Sequence, residues 1–416
     1  MDKCPDLCPR CAVRCHRRQN NPRNPIDALE ELFTHLSVFP QVESIALAES
    51  LGRITGEDIV SHADYPPYPQ SVHDGVAFNS SQLNECDEVD GLLCVKAGNY
   101  RIIEMGAVLE DPWDCVSPIE VCHFQPDNTL LLEKVPLVGS AITFAGTYVA
   151  KGETIVSHSQ ILLPSHLALL RLCGVERVIV KKKPQVSIIP VGDDLQEAGL
   201  PLSRGKYFES NGLMIKSVID LCGGKADIAP IVKDDRSCIA EEIIFALANS
   251  DFVVVNGGIG KNGESFKDFT LDAMDQVGKV LSHGFAIGPG GKATFLAIAQ
   301  GKPVIGIPGP PHAALPMTEY FIPKMLEHYL GVCKYQRRSI EVSPGNLINR
   351  SKTSNSLSIR RVFVDKCDDV YSIRMGHQGE TADVFSKADG VAFIDGNDAE
   401  DDPIIVELLH DINSIQ

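Results

Sequence analysis

Long apolar runs are missing from this 416-residue chain. No stretch approaches the ~18 consecutive apolar residues of a membrane-spanning helix, and the start "MDKCPDLCPRCAVRCHRRQ" lacks the apolar segment of a secretory signal. A cytoplasmic chain with no membrane partner is the expectation. Positive charge is also short. Against 55 Asp and Glu stand 38 Lys and Arg, a formal net charge of −17, which excludes a general binder of nucleic acid or of anionic membranes. A phosphorylated ligand must then be held by backbone amides, metal ions or a few placed cations. No repeat with a period of roughly 20–50 residues is present. The 13 cysteines are odd in number and scattered, unlike the dense disulfide framework of a small secreted domain.

What is present is enough apolar material, 44%, to fill several cores, and a length that suggests about two to four domains. "NPIDALEELFTHL" has Ile26, Leu29, Leu32, Phe33 and Leu36 at helical spacing behind an Asn-Pro start, which predicts an amphipathic helix. Residues 57 to 144 carry short β-rich runs broken by Pro, Gly and Asn-Asp, as expected of a small β insertion. A helix ending at Gly174 follows. Strand and helix then alternate: strand 185–191, helix 211–223, strand 226–232, helix 236–249, strand 251–256, helix 266–277, a short strand, strand 303–307 and helix 312–330. Such alternation predicts a parallel sheet covered on both faces. The tail from 336 onward is β-patterned and predicts a separate small sheet or barrel.

Ligands of open parallel sheets bind beyond the carboxyl ends of the strands. Four loops placed there carry acids or glycines. "PVGDDL" offers Asp193 and Asp194, which suit Mg²⁺ bridged to phosphate oxygens or, more plainly, a helix cap. "IVKDD" offers Asp234 and Asp235, "NGGIGKNGES" offers Gly257 and Gly258 ahead of a helix whose dipole can bind an anion, and "GIPGPPHAA" closes a strand with Pro308 and Gly309.

The ordered set "YPPYPQSVHDGVAF", "MGAVLEDPWDCVSPIE", "PVGDDLQEAGLPLSRGKYFESNGLMIKSVIDLCGG", "IVKDD", "VNGGIG", "AIGPGGKATF", "IPGPPHAA" and "GHQGETADVFSKADGVAFID" resembles the molybdopterin molybdenumtransferases, the family that includes the C-terminal domain of gephyrin. The resemblance spans roughly residues 25 to 412. It implies a multidomain α/β plus β fold: an elongated domain from 25–56 and 145–183, a β insertion at 57–144, a central parallel α/β molybdopterin-binding domain at 184–332, and a C-terminal β-barrel at 333–416, after a Cys-rich tail at 1–24. It implies a homodimer whose cleft is shared between the α/β domain of one chain and the β insertion of the other. The implied reaction takes adenylated molybdopterin and molybdate, releases AMP, and transfers the metal to the dithiolene sulfurs with Mg²⁺ assisting. A molybdopterin adenylyltransferase and a recipient apoenzyme are the implied protein partners.

Carried over by position, Asp74, Asp193 and Asp234 take the catalytic roles, with Asp74 and Asp193 also facing Mg²⁺ or molybdate. Gly75, Glu120, Asp194, Ser210, Asn211, Asp235, Gly257, Gly258, Glu264, Ser265, Pro289, Gly290, Lys292, Pro308 and Gly309 take cofactor-binding roles. The chain also departs from the family pattern. Pro69, Gln70 and His73 replace a carboxylate, an amide and a methionine, Tyr148 stands for an acid, Gly288 for a lysine, and Pro310 for an asparagine. Losing a cation and two acids keeps a second reading open, a non-catalytic carrier or sensor of the pterin. Outside the resemblance, Cys4, Cys8, Cys11 and Cys15 lie beside His16 with interleaved arginines. Four soft ligands within twelve residues suit Zn²⁺ or an iron–sulfur cluster, and a basic tail with incidental thiols is the alternative.

Overall fold

The computed structural model describes residues 22–37, 39–259, 268–342, 356–367, 370–375, 381–396 and 402–410. The four N-terminal cysteines, Glu264 and Ser265 lie outside them. The chain divides into two units, one of residues 42–181 and one of residues up to 41 together with those from 182 onward.

In the 42–181 unit, Val42–Ala46 pairs antiparallel with Arg177–Lys181, and Ile59–Val60 with Thr154–Val156. Leu47, Val156, Leu162, Leu170 and Val178 pack into one core beside these pairs. The helix Pro164–Leu172 starts with Pro at its first turn and ends before Gly174, whose φ of +80° suits a residue without Cβ. The expected β insertion consists of a three-stranded sheet with Gly75–Phe78 at its centre and a four-stranded antiparallel sheet. Val76, Phe78, Leu93, Val95, Leu130 and Leu132 join the two in a shared core.

The second unit is built on a six-stranded sheet. The helix α1 (Pro25–Thr34), capped by Asn24 through the amide of Ile26, falls in this unit. The sheet elements are β1 (Gln185–Val191), α2 (Asn211–Leu221), β2 (Lys225–Ile228), α3 (Arg236–Asn249), β3 (Phe252–Gly257), α4 (Phe269–Val277), β4 (Lys279–His283), β5 (Phe295–Ala299), β6 (Lys302–Ile307) and α5 (Pro311–Leu330). The strand order is β2-β1-β3-β6-β5-β4. Four of the strands, β2, β1, β3 and β6, run parallel. The inner strands β1, β3 and β6 are near-continuous apolar runs, and every residue of β3 is buried, whereas edge strand β2 buries only Ala226. Fully burying Val253, Val254 and Val255 contributes about 1.5–3 kcal/mol each.

The all-parallel expectation fails at one edge, where β5 runs antiparallel to β6 and β4 antiparallel to β5. The cause is local. Gln300 and Gly301 connect β5 to β6 with φ of +52° and +73°, a two-residue hairpin turn that cannot join parallel strands.

The C-terminal region contains β7 (Ser339–Val342), β8 (Leu357–Cys367), β9 (Val370–Met375), α6 (Thr381–Lys387), β10 (Gly390–Asp395) and β11 (Ile404–Leu408). Its ladders run from Ile287–Gly288 through β8, β10 and β11 to β7, with β9 on β8. Among the described residues this path does not close into the expected barrel. Val342, Val362, Val364, Ile373, Ile394 and Val406 nevertheless form a single core. Glu319 of α5 ties this sheet to the α/β part. Its Oε1 accepts from Arg337 and, at 2.7 Å, from Arg361 of β8, with the Glu319 side chain only 8% exposed. Removing one member of such a buried cluster strands the others' charge. Glu319→Ala is expected to destabilise this unit by about 3–5 kcal/mol, read as a lowered melting temperature, and unchanged melting would mean that water satisfies both guanidiniums.

Candidate functional site

The loops at the carboxyl ends of β1, β2, β3 and β6 converge because glycine lets their backbones touch. A Cβ on Gly257 would lie 2.2 Å from the Val191 carbonyl oxygen, and one on Gly258 2.4 Å from Thr270 Oγ1. Both glycines also hold positive φ, +98° and +62°. Thr270, fully buried on α4, donates to the Gly257 carbonyl at 3.0 Å and fixes the turn.

Beside this turn lies an amide cluster. Asn211, the first residue of α2 and 6% exposed, donates through Nδ2 to Asn256 Oδ1 at 3.0 Å and to the Gly309 carbonyl at 2.6 Å. Asn256 donates in turn to the Pro308 carbonyl at 2.9 Å. The predicted residues Asn211, Gly257, Gly258, Pro308 and Gly309 are therefore brought together, and Asn256 joins them. Sequence reasoning passed over Asn256 as a strand residue. The signal available was an amide as the only polar side chain in "VVVNGG", at a strand's last turn before glycines.

Asp193 and Asp234 also meet, since the Asp193 amide donates to Asp234 Oδ2 at 3.1 Å. The Lys206 ammonium donates to the Asp193 carbonyl, and the Asp194 carbonyl accepts from the Tyr207 amide at 2.8 Å, which folds residues 195–208 back over this loop. Asp235, exposed, caps α3. Its Oδ1 accepts from the amides of Ser237 and Cys238, and the Cys238 amide above all holds its carboxyl below the usual carboxylate range.

Helix caps decide where an anion can sit. A helix N-terminus carries partial positive charge, and a capping carboxylate cancels it. Of the four helices that follow the parallel strands, α2 is capped by Glu209 through Gly212, α3 by Asp235, and α4 by Asp268 through Leu271. The expected anion site at the start of α4 is thus already occupied by a carboxylate. Only α5 lacks a side-chain cap, because Pro310 stands at its N-cap. That end opens on a cavity of about 400 Å³ lined by Ile259, Ile287, Gly288, Pro289, Gly290, Lys292, Pro308, Pro310 and Ala313. Gly290 is required there: its φ is +101° and a Cβ would meet the Ala313 carbonyl at 2.5 Å. Lys292, exposed beside it, supplies a cation. Ser210, exposed at the start of α2, makes no side-chain cap bond.

In the 42–181 unit, Asp74 precedes Gly75–Phe78, and its Oδ1 accepts from the Met105 amide at 2.7 Å. The Asp74 carbonyl accepts from the Ile119 amide, which sets exposed Glu120 beside it. Gly75 must be glycine, since a Cβ would lie 2.1 Å from the Ser117 carbonyl oxygen. Tyr148 is exposed and its ring lies 5.6 Å from that of Tyr65. The core cysteines are inert: burial pushes the thiols of Cys115 and Cys222 up to about 12. Among the described residues no three His, Cys, Asp or Glu side chains cluster as a metal site, and no helix is long and apolar enough to cross a membrane.

The fold and site define a class: a protein with a ligand site at the carboxyl edge of a mostly parallel α/β sheet, joined in one chain to a unit rich in small antiparallel sheets. Residues 24–174 match the family model "MoeA N-terminal region (domain I and II)", and residues 187–328 match "Probable molybdopterin binding domain". The molybdopterin molybdenumtransferase of Haemophilus influenzae is 27% identical over 337 residues, covering 78% of this chain and 82% of that protein. That of Staphylococcus aureus is 27% identical over 327 residues, covering 74% and 77%. A solved molybdopterin biosynthesis moea protein from Pyrococcus horikosii superposes with a TM-score of 0.78 over 94% of this chain and 100% of its own, at 24% identity. The chain belongs to the MoeA family of molybdopterin molybdenumtransferases.

Gly288, where the resemblance expects lysine, has no atom within 4 Å of a Cβ built on it and lines the cavity. Gly288→Lys is therefore expected to fold normally and to tighten binding of a phosphorylated pterin by about 3–10-fold, lost at high salt. Calorimetry at two ionic strengths checks this, and unchanged affinity would place the anion elsewhere.

Proposed function

We propose that this chain is a molybdopterin molybdenumtransferase that acts on adenylated molybdopterin and molybdate, with release of AMP and transfer of the metal to the dithiolene sulfurs. The observation that carries the reading is the charge arrangement at the sheet edge. One uncapped helix end and one lysine face a cavity of about 400 Å³, next to an amide cluster that meets no phosphate requirement. This suits a ligand with an anionic end and a polar heterocyclic end, held by a chain whose net charge would otherwise repel it.

Asp193 and Asp234 are the proposed holders of Mg²⁺, because that ion is commonly bound by one or two carboxylates plus substrate phosphates. When bound it would screen phosphate charge. Asp74 is the proposed catalytic carboxylate. Its Oδ1 is fixed by the Met105 amide, and its Oδ2 has no hydrogen-bond partner among the described residues, which leaves it able to orient a water or an oxyanion. Asp194, Glu120, Ser210, Glu264 and Ser265 remain proposed ligand contacts. The working form is proposed as a homodimer, which light scattering showing a monomer would contradict, with a closed C-terminal barrel, a molybdopterin adenylyltransferase upstream and an apoenzyme downstream. Cys4, Cys8, Cys11 and Cys15 are proposed to hold Zn²⁺ or an iron–sulfur cluster. Metal analysis that finds neither in anaerobically purified protein would remove that proposal.

The test is AMP release from adenylated molybdopterin with Mg²⁺ and molybdate. Wild type is expected to release AMP, and Asp74→Asn to do so about 100-fold or more slowly with binding retained. Tight binding by wild type without release would favour the carrier or sensor.

A further inference from the structure

Among the described residues, Asn211 Oδ1 is a buried side-chain atom with no hydrogen-bond partner. Buried polar atoms are normally satisfied, and leaving one bare costs about 1–3 kcal/mol, so an unpaired acceptor at a ligand-binding edge marks a missing donor. An amide can be placed with O and N exchanged, but here the neighbours decide the orientation. Carbonyl oxygens only accept. The Gly309 carbonyl, 2.6 Å from the Asn211 amide, must face its NH₂, and the Pro308 carbonyl, 2.9 Å from the Asn256 amide, must face that NH₂. Asn256 then turns its Oδ1 to Asn211, which accepts the second Asn211 hydrogen at 3.0 Å. Both donor hydrogens of Asn211 are used, and its oxygen is left as an acceptor and nothing else.

We infer that Asn211 Oδ1 accepts from the exocyclic 2-amino group of the bound pterin heterocycle, and that Asn256 is the positioning residue that locks it in the accepting orientation. This rests on the pterin reading above. A phosphate or molybdate oxygen cannot donate a hydrogen bond when ionised, so this point rejects the anionic end of the ligand. That end goes to Lys292 and the uncapped start of α5, and Gly309 connects the two places. The ligand therefore has a single direction along the Pro308–Gly309 wall. Asn211 is buried one residue inward from exposed Ser210, so the heterocycle reaches it from the surface at the start of α2. In place of Asn256, a serine, whose hydroxyl both donates and accepts, would leave the Asn211 amide free to turn.

The test compares two probes by calorimetry on the full chain: a 6-(phosphooxymethyl)pterin and its lumazine counterpart, in which a carbonyl acceptor replaces the 2-amino donor. Wild type is expected to prefer the pterin by about tenfold or more, equivalent to about 1.4 kcal/mol. Asn211→Ala should bring the ratio close to one, and Asn256→Ser should reduce it while lumazine affinity stays near wild type, which also reports that the variants are folded. A wild-type ratio near one, or an Asn211→Ala protein that keeps the wild-type preference, overturns the inference and leaves the pterin reading standing. Failure of wild type to bind either probe overturns both.

Discussion

The contact between the Val191 carbonyl and the Cα of Gly257 is the constraint on which the α/β unit's site depends. At a separation that leaves 2.2 Å to an imagined Cβ, no residue but glycine fits. Because β1 and β3 can approach this closely to their last residues, the loops that follow them share one edge. Asn256 then sits one position before the turn, where the carbonyls of β6 and its loop lock its amide. Had the strands splayed, the amide cluster would open to water and its orientation would be lost. Hydrogen bonds of Thr270 and Asn211 add to this arrangement, but packing without a side chain makes it available.

Electrostatics then sorts the edge. A chain with a net charge of −17 gains nothing from long-range attraction for a polyanion, so it must supply positive potential locally. Carboxylates quench three helix ends and leave one open beside Lys292, which is a more selective device than a broad basic surface. The loops after β1 and β2 carry acids instead, and the Asp193 backbone amide donates to the Asp234 carboxylate there. The result is a graded edge: acids, neutral amides, then cation and helix dipole.

Much of this was legible in the chain itself. The alternating strands and helices from Gln185 to Val277, and again from Lys302 to Leu330, fall within a few residues of their expected positions, because burial on both faces writes β1 and β3 as mostly apolar runs, whereas the single short strand expected between these two stretches is three strands. What escaped has physical causes. Gln300–Gly301 reads as a loop until its positive φ values make it a hairpin, and that reversed β5. Asp235 and Asp268 carry the same letters whether they bind a ligand or cap a helix, and only the distances to Ser237, Cys238 and Leu271 separate the two. Asn256 was hidden because its importance lies in partners from residues 211 and 308, far away in sequence.

The most direct measurement is a crystal structure of the full chain soaked with molybdopterin. The account predicts the phosphate within hydrogen-bonding distance of Lys292 and the His312 amide, the first N–H of α5, with the pterin 2-amino group on Asn211 Oδ1. A pterin found with its phosphate at the carboxylate-capped start of α3 or α4, or with its 2-amino group away from Asn211, would contradict it.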